Sequence, residues 1–449
     1  MAAQHTPLYT LTGSQALALL KQNAVTVEGY ASALLERIKD RDPTVRAWTY
    51  LDPAYVLRQA RELDQIPQDQ RGPLHGLPVG VKDVINTQDM PTQFGSALYQ
   101  GHQPSLDSSA VAILRAAGAL IFGKTTTTEF TVANSGPGTT NPHDPNRTPG
   151  GSSCGSAAAV ADFHVPVSLG TQTGGSIIRP ASYTGIFALK PTFNAVSPEG
   201  QKMFSPTFDT FGFFARSVQD LQLLSDVLAI QDDEAPKGTP LEDMFIALMK
   251  TPMWPSAGQG TIAAMDKAVM ALRESGIQVQ EVDFPPDMAN AATLKRIQKI
   301  ICMSEAQESF LREYRMDKSK LGPEMRALLE DFKSTHKERV DATDTYNDMR
   351  RIMNGLSLQY SAIIAPSAAD EAPVGLDDMG SAIFNTMWTG FHMPVVNVPA
   401  FTGDHGMPIG LSLVASRFRD QHLLRVAMAL VEPLVNKGGW RAEEGSRQQ

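Results

Sequence analysis

The strongest constraint on the fold is an alternation of short apolar runs and helical patterns from about residue 75 onward. The stretches "GLPVGVKDVI", "ALIFGKT", "VPVSLGTQT" and "TGIFALKPT" are typical of buried strands, and "SAVAILRAAG" and "AAAVADF" of helices. Strands that alternate with helices form parallel or mixed sheets with helices on both faces. The chain is therefore predicted to be an α/β protein with a central mixed, twisted β-sheet covered by helices on both faces.

No internal repeat or low-complexity linker interrupts this pattern, so residues 1–449 are predicted to form a single large domain. Its predicted parts are N-terminal helices over residues 1–70, a core over 71–230, a helical cover over 285–360 and a return to the sheet over 361–435. The cover is charged and rich in Leu, Met and Arg, as in "ESFLREYRMDKSKLGPEMRALLEDF". The return contains the strand-like stretches "YSAIIAPS" and "MPVVNVPAF" before a closing helix.

The composition argues against several classes of protein. With a net charge of −9, the chain lacks the basic excess that nucleic-acid binding needs. Its N-terminus lacks the basic start and apolar run of a secretory signal, and no stretch reaches the ~18 apolar residues of a membrane span. Cys154 and Cys302 lie far apart, and no C-x-x-C or H-E-x-x-H motif is present. We expect a cytoplasmic protein without a disulfide, metal or other cofactor, and without a nucleic-acid or membrane partner.

Two short motifs suggest other chemistries, and the context of each argues against it. Residues 118–125, "GALIFGKT", match the phosphate-loop pattern, but residues 119–122 have the character of a strand rather than of an exposed cradle. Ser153 in "GSSCG" has the nucleophile position of G-x-S-x-G, which must directly follow a strand. The preceding "NPHDPNRTP" cannot form a central strand, because its prolines lack ladder donors.

A glycine turn within "GTQTGGSIIRPAS" is the first candidate for catalysis. The strand-like "VPVSLG" leads into this segment, where Thr173, Gly174 and Gly175 precede Ser176. Adjacent glycines let backbone N–H groups converge on one point without obstruction by Cβ atoms, as an oxyanion hole requires. A plain tight turn between strand and helix is the alternative for this segment taken alone.

A serine nucleophile at position 176 needs a base, and a lysine is the next candidate because no histidine lies in a motif. Lys82 lies in the otherwise apolar strand "GLPVGVKDV". Burial there would lower the pKa of Lys82 and let the side chain accept a proton near neutral pH. A lysine whose ammonium group extends from the sheet into solvent fits the pattern equally well.

Five motifs together resemble the amidase signature family: "GLPVGVKDV", "GKTTTTEF", "TPGGSSCGSAAAVA", "GTQTGGSIIRPASYTG" and "FDTFGFFARSVQDL". They follow the family's order, and the similarity extends from about residue 10 to 430. The resemblance implies the amidase signature fold and a Ser–cis-Ser–Lys triad of Lys82, Ser152 after a cis peptide bond, and the nucleophile Ser176. It also implies an oxyanion hole formed by backbone N–H groups of Thr173, Gly174, Gly175 and Ser176.

The chain departs from the family pattern close to these residues. The family usually has aspartate where Gln172 stands and arginine where Ile178 stands, whereas Arg179 follows one residue later. An aspartate–arginine pair is therefore missing or rebuilt. Cys154 stands where glycine is common, but no motif brings a histidine to it, which argues against a cysteine nucleophile. Ser153 is predicted to be a supporting hydrogen-bonding residue.

Without the family's aspartate and arginine at these positions, the pocket is predicted to lack a fixed ion pair for a charged α-amino acid, which favours a neutral substrate. We expect a hydrolase that cleaves C–N bonds of neutral aryl or alkyl amides, with carbamates (urethanes) or esters as further small-molecule substrates, acting as a monomer or homodimer. The residues predicted to line the pocket are Phe130, Thr131, Met203, Phe204 and Phe208. The alternative is the glutaminase (A) subunit of a tRNA-dependent amidotransferase, against which the two departures argue. An inactive binding scaffold is disfavoured because all three triad positions are intact.

Overall fold

An eleven-stranded mixed sheet forms the centre of the computed structural model, which describes residues 7–235 and 240–440. The strands are β1 Trp48–Tyr50, β2 Pro78–Lys82, β3 Leu120–Thr125, β4 Val167–Gln172, β5 Phe187–Lys190, β6 Thr210–Ala215, β7 Phe245–Leu248, β8 Gln278–Glu281, β9 Ala362–Pro366, β10 Val395–Thr402 and β11 Pro408–Val414. Their order is β1-β3-β2-β4-β6-β5-β10-β11-β9-β7-β8. Strand β2 is parallel to β3 and β4, β7 is parallel to β8 and β9, and the other pairs are antiparallel.

Fourteen α-helices surround the sheet within the described ranges. They are α1 Gly13–Lys21, α2 Val27–Val45, α3 Pro53–Asp64, α4 Ser109–Ala116, α5 Cys154–Ala161, α6 Ile178–Thr184, α7 Val218–Val227, α8 Gln259–Glu274, α9 Ala291–Ser309, α10 Leu311–Asp317, α11 Pro323–Asp331, α12 His336–Ser357, α13 Thr386–Gly390 and α14 Asp420–Gly438.

Helices cover both faces of the sheet. Every residue of the central strands β2, β4, β6 and β11 is buried. Because successive side chains of a strand point to opposite faces, burial at every position requires cover on both sides. Helices α5 and α6 pack together against β2, β4, β10 and β11, whereas α14 packs with α7 and α8 over β10 and its neighbours. The predicted single α/β domain with a covered mixed sheet is confirmed.

The predicted helical cover consists of α9 to α12, and buried carboxylates join it to loops beside the sheet. Glu305 of α9 accepts hydrogen bonds from Ser205 Oγ at 2.5 Å and from the N–H of Thr207 at 3.0 Å. Glu313 of α10 accepts from Lys202 Nζ at 2.7 Å and from the hydroxyl of Tyr99. These contacts hold the cover against the loop that follows β5.

The segment that matches a phosphate loop is a strand, as predicted. Residues 120–125 form β3, and each of them is buried. The Nζ of Lys124 donates to the carbonyl oxygen of Ile85 and to Oγ1 of Thr92, both at 2.6 Å. Since these backbone groups belong to the sheet ladder and the lysine is engaged inside the protein, the segment offers no open cradle for phosphate.

Candidate active site

Lys82, the last residue of β2, is fully buried. Its Nζ donates hydrogen bonds to Ser152 Oγ at 2.8 Å and to Thr171 Oγ1 at 3.0 Å. Burial lowers the pKa of Lys82 from 10.5 to about 7, because the charged ammonium loses its hydration. Among the described residues Lys82 forms no ion pair with a carboxylate that would restore the ordinary value. The amine of Lys82 thus has a pKa near neutrality and lies in contact with a serine hydroxyl.

Ser152 follows a cis peptide bond with Gly151. Arg179 Nη2 donates to the carbonyl oxygen of Gly151 at 2.6 Å, and Nη1 donates to that of Gly380. A Cβ at position 151 would lie 1.9 Å from Sδ of Met379, so any larger residue would force the Met379 side chain to move. Arg179, displaced by one residue from the family position, thus holds two backbone carbonyls and forms no ion pair in the described part of the chain.

The neighbours of Ser152 have other partners. The hydroxyl of Ser153 donates to the carbonyl oxygen of Thr171 at 3.2 Å. Cys154 begins α5, and its Sγ lies 3.5 Å from the carbonyl oxygen of Thr126. Burial raises the pKa of the Cys154 thiol, so the reactive thiolate is disfavoured. This environment argues against a cysteine nucleophile.

The glycine turn lies between β4 and α6, and the side chain of Gln172 connects its two ends. Its Oε1 accepts from the backbone N–H groups of Ile177 at 2.8 Å and Ile178 at 3.0 Å. Its Nε2 donates to Oγ1 of Thr389 at 2.9 Å, and that hydroxyl donates to the carbonyl oxygen of Gly174 at 2.8 Å. A carboxylate at position 172 could accept hydrogen bonds but could not donate one to Thr389. The Gln172 amide donates to the Thr389 oxygen, which leaves the Thr389 hydroxyl free to donate to the carbonyl oxygen of Gly174.

Asp209 links the same turn to the loop that contains Phe204. One carboxylate oxygen accepts from the hydroxyl of Thr173, and the other accepts from the N–H of Phe204 at 2.5 Å and of Ser205 at 3.1 Å. Burial raises the pKa of Asp209 to about 6 in spite of these hydrogen bonds. The predicted oxyanion turn is thus supported from two sides, by Gln172 and by Asp209.

Ser176 and Ser152 both line a cleft of about 340 Å³. Ser176 is 9% exposed, and among the described residues no hydrogen bond joins its hydroxyl to that of Ser152. The cleft is lined by Thr131, Val132, Ala133, Asn134, Ser152, Thr173, Gly174, Gly175, Ser176, Arg179, Phe204, Lys295, Gln298, Lys299, Cys302, Met303, Met379, Ala382 and Thr386. Folding therefore brings both predicted serines and the whole predicted oxyanion turn to one cleft.

Of the five residues predicted to line the pocket, Thr131 and Phe204 border this cleft. Phe130 and Phe208 are fully buried and lie in the hydrophobic core, and Met203 is half-buried away from the lining. The apolar pattern of the sequence does not distinguish core aromatic residues from cleft residues, because both are apolar. The wall of the cleft is consequently less aromatic than the sequence suggested.

Sequence reasoning missed the wall supplied by α9 and the two residues that support the turn. Lys295, Gln298 and Lys299 lie on this wall, and no motif marks them. Asp209 lies within the quoted motif "FDTFGFFARSVQDL", which was the only signal for it. Thr389 contacts Gln172 across 217 residues of chain, so local sequence carries no sign of the contact.

Neither a membrane span nor a metal-binding cluster is found within the described ranges. None of the helices there is both long and apolar enough to cross a bilayer. No cluster of three or more His, Cys, Asp or Glu side chains there could hold a metal ion. The expected lack of a cofactor stays a prediction.

Comparison with known proteins agrees with the motifs. A family model described as Amidase matches residues 30–424. The A subunit of the glutamyl-tRNA(Gln) amidotransferase of Chloroflexus aurantiacus is 32% identical, over 94% of this chain and 96% of its own. The solved peptide amidase from Stenotrophomonas maltophilia is 27% identical with a TM-score of 0.81, over 95% of this chain and 98% of its own. A crystal structure described as an amidase is 28% identical with a TM-score of 0.85, over 94% of this chain and 100% of its own.

Proposed function

The chain belongs to the amidase signature family, and on that premise we propose that it hydrolyses C–N bonds of amides through an acyl intermediate on Ser176. The observation that carries the proposal is the contact of Lys82 with Ser152. A buried amine with a pKa of about 7 lies 2.8 Å from a hydroxyl that lines the same cleft as Ser176. Such an amine is partly neutral at neutral pH and can act as a general base.

In the proposed reaction, protons move along the chain Ser176, Ser152 and Lys82. Lys82 Nζ accepts the proton of Ser152, which accepts that of Ser176 while Ser176 Oγ forms a bond to the carbonyl carbon. The carbonyl electron pair moves onto oxygen, where N–H groups of the glycine turn stabilise it. Collapse of this intermediate breaks the C–N bond, and the proton returns through Ser152 to the leaving nitrogen. Water then cleaves the acyl ester by the same proton route.

The lining of the cleft favours uncharged groups next to the bond that is cleaved. Val132, Phe204, Met303 and Met379 offer apolar surface to an acyl or amine substituent, and such contact is worth about 25 cal/mol per Å² buried. We therefore propose aryl or alkyl amides that are neutral around the scissile bond. Carbamates and esters present a similar carbonyl carbon to Ser176 and are proposed as further substrates.

A second candidate function is that of the glutaminase component of a tRNA-dependent amidotransferase, favoured by the 32% identity to the Chloroflexus aurantiacus protein. That function would use glutamine and partner proteins, whereas a simple hydrolase acts as a monomer or homodimer. Glutamine is a zwitterion: its α-carboxylate matches Lys295 and Lys299 of the cleft, whereas its α-ammonium group needs a carboxylate as partner. No Asp or Glu lines the cleft in the described part of the chain, which favours the first candidate.

The test measures hydrolysis of acetanilide and of glutamine by the purified chain, together with labelling by a fluorophosphonate. We expect release of aniline to exceed release of ammonia, and one equivalent of label on Ser176. Ser176→Ala should lose both hydrolysis and label while it remains folded, whereas Ser153→Ala should keep both. Faster hydrolysis of glutamine than of anilides would favour the amidotransferase function, and lack of labelling would refute the serine mechanism.

A further inference from the structure

Two lysines on α9 line the cleft and, among the described residues, have no partner of opposite charge. Lys295 and Lys299 are exposed and lie four residues apart, so they share the helix face that also contains Gln298. Neither lysine forms an ion pair within residues 7–235 and 240–440. Like charges at this spacing do not stabilise a helix, so the pair leaves two positive charges in the cleft lining without a carboxylate partner among the described residues.

The charges around the cleft are distributed unevenly. The chain has a net charge of −9, yet the cleft lining contains Arg179, Lys295 and Lys299 and no acidic residue among those described. Two carboxylates contact Asn134, another residue of the lining: Glu324 accepts from the N–H of Asn134 at 2.6 Å, and Asp378 from Asn134 Nδ2 at 2.7 Å. The positive charges of the lining on α9 therefore lie on Lys295 and Lys299, and a cluster of positive charge attracts ligands of the opposite sign.

Hydrogen bonds on both sides of the lysines hold the backbone of α9 in place. Glu305, at the C-terminal end of the helix, accepts from Ser205 and Thr207 on the loop that also contains Phe204. Gln298, between the lysines, accepts a hydrogen bond from the hydroxyl of Tyr346 at 2.7 Å. The backbone that carries the lysines is thereby fixed on both sides, which reduces the entropy lost when a ligand binds.

From this arrangement we infer that the substrate carries a carboxylate at the end remote from the scissile bond, bound by Lys295 and Lys299. The inference rests on the proposed amide hydrolysis and adds the charge of the substrate. Arg179 is not assigned to this carboxylate, because its guanidinium already donates to the carbonyl oxygens of Gly151 and Gly380. The uncharged middle of such a substrate would contact the apolar wall, with the carboxylate pointing toward α9.

The test compares three anilides with a neutral, an anionic and a cationic para position: acetanilide, 4-acetamidobenzoate and 4-(aminomethyl)acetanilide. Because these substituents also differ in size and electronic effect, the lysine variants serve to isolate the contribution of charge. We expect the carboxylate substrate to have the highest kcat/KM, through a lower KM, and the cationic substrate the lowest. Lys295→Gln and Lys299→Gln should each reduce kcat/KM for the carboxylate substrate by about two- to fivefold. The neutral anilide should change less than about twofold, since it lacks the charge that the lysines bind.

Arg296→Gln is the matched control, because Arg296 is an exposed cation of α9 that does not line the cleft. It removes the same charge from the same helix and should leave the preference for carboxylate unchanged. The preference should also fall when the ionic strength is raised to about 0.5 M, because salt screens exposed charges. Equal kcat/KM for the three anilides, or an equal effect of Arg296→Gln and Lys299→Gln, would overturn the inference alone. Absence of hydrolysis of all three would overturn the proposed function as well.

Discussion

Replacement of Lys82 by methionine should abolish activity and at the same time stabilise the protein at neutral and acidic pH. The two effects have one cause, which is burial of the amine without a carboxylate partner among the described residues. The pKa of Lys82 falls from 10.5 to about 7 on folding. Since a tenfold change in proton affinity corresponds to ~1.4 kcal/mol, the protonated lysine costs the folded chain about 5 kcal/mol.

The sign of the pH dependence follows from the lowered pKa. Between pH 7 and 10.5 the unfolded chain binds a proton at Lys82 that the folded chain does not, so stability of the native protein rises with pH there by ~1.4 kcal/mol per pH unit. Below about pH 7 Lys82 is protonated in both states, so the loss of stability that it causes reaches its full value and no longer changes with pH. The variant loses hydrogen bonds to Ser152 and Thr171, worth about 1 kcal/mol each. Its net advantage should be largest at or below pH 7 and should disappear in alkaline solution.

The measurement pairs denaturant unfolding with kcat/KM for an anilide at each pH from 6 to 10. Wild-type kcat/KM should rise about tenfold per pH unit below the pKa of Lys82 and level off above it. Lys190→Met is the matched control, because burial lowers the pKa of Lys190 to about 7 as well and its Nζ donates to the carbonyl oxygen of Pro191, at 2.9 Å, rather than to a serine. The control should show a similar pH-dependent gain in stability and an unchanged pH profile of activity.

Two results would refute this reasoning. The first is a difference in stability between Lys82→Met and wild type that does not change with pH, which would mean that Lys82 is not buried as a neutral amine. The second is an activity profile with its maximum near pH 5, where the lysine is protonated. If the pH profile of activity shifted in Lys190→Met, the titration would belong to Lys190 and its assignment to Lys82 would be wrong.

Three further predictions concern the residues around the base and the turn. Ser152→Ala should lower kcat by about a thousandfold or more and Ser153→Ala by less than about tenfold, measured on one anilide, because only Ser152 contacts the base. Gln172→Glu should redirect the Thr389 hydroxyl away from the turn and lower kcat by about tenfold or more, with little change in KM. Thr389→Val should likewise lower kcat and leave KM nearly unchanged. Glu305→Ala should raise KM and lower the free energy of unfolding by about 2 kcal/mol, measured by kinetics and denaturation, because buried donors lose their acceptor.

Each of these predictions has an outcome that contradicts it. Equal losses in the two serine variants would mean that the bridging serine is assigned wrongly. A change in KM alone for Gln172→Glu would indicate a role in substrate binding rather than in holding the turn. A Glu305→Ala variant with wild-type KM would mean that α9 does not need this anchor to form the cleft wall.

Local sequence was sufficient to predict the fold class, whereas the assignment of Lys82, Ser152 and Ser176 as a triad depends on the resemblance to the amidase signature family. Short apolar runs alternating with helical patterns depend on neighbouring residues alone, and β2, β3 and β4 form where that pattern predicts. The sequence pattern predicts no part of the fold between residues 231 and 284, although β7, α8 and β8 lie there. Strand β8 is a short polar edge strand, "QVQE", and has no apolar alternation to reveal it.

Tertiary structure alone decided what surrounds the candidate residues. Lys82 and Ser152 are 70 residues apart, and their contact depends on β2 lying beside β4 in the sheet. The charge of the cleft depends on α9, which folds over the site from a part of the sequence with no motif of its own. Phe204 borders the cleft while Phe208 lies in the core, although both are apolar residues of one loop. These features arise from packing between distant segments, and the periodicity of a sequence records only which face of each element is buried, not what it is buried against.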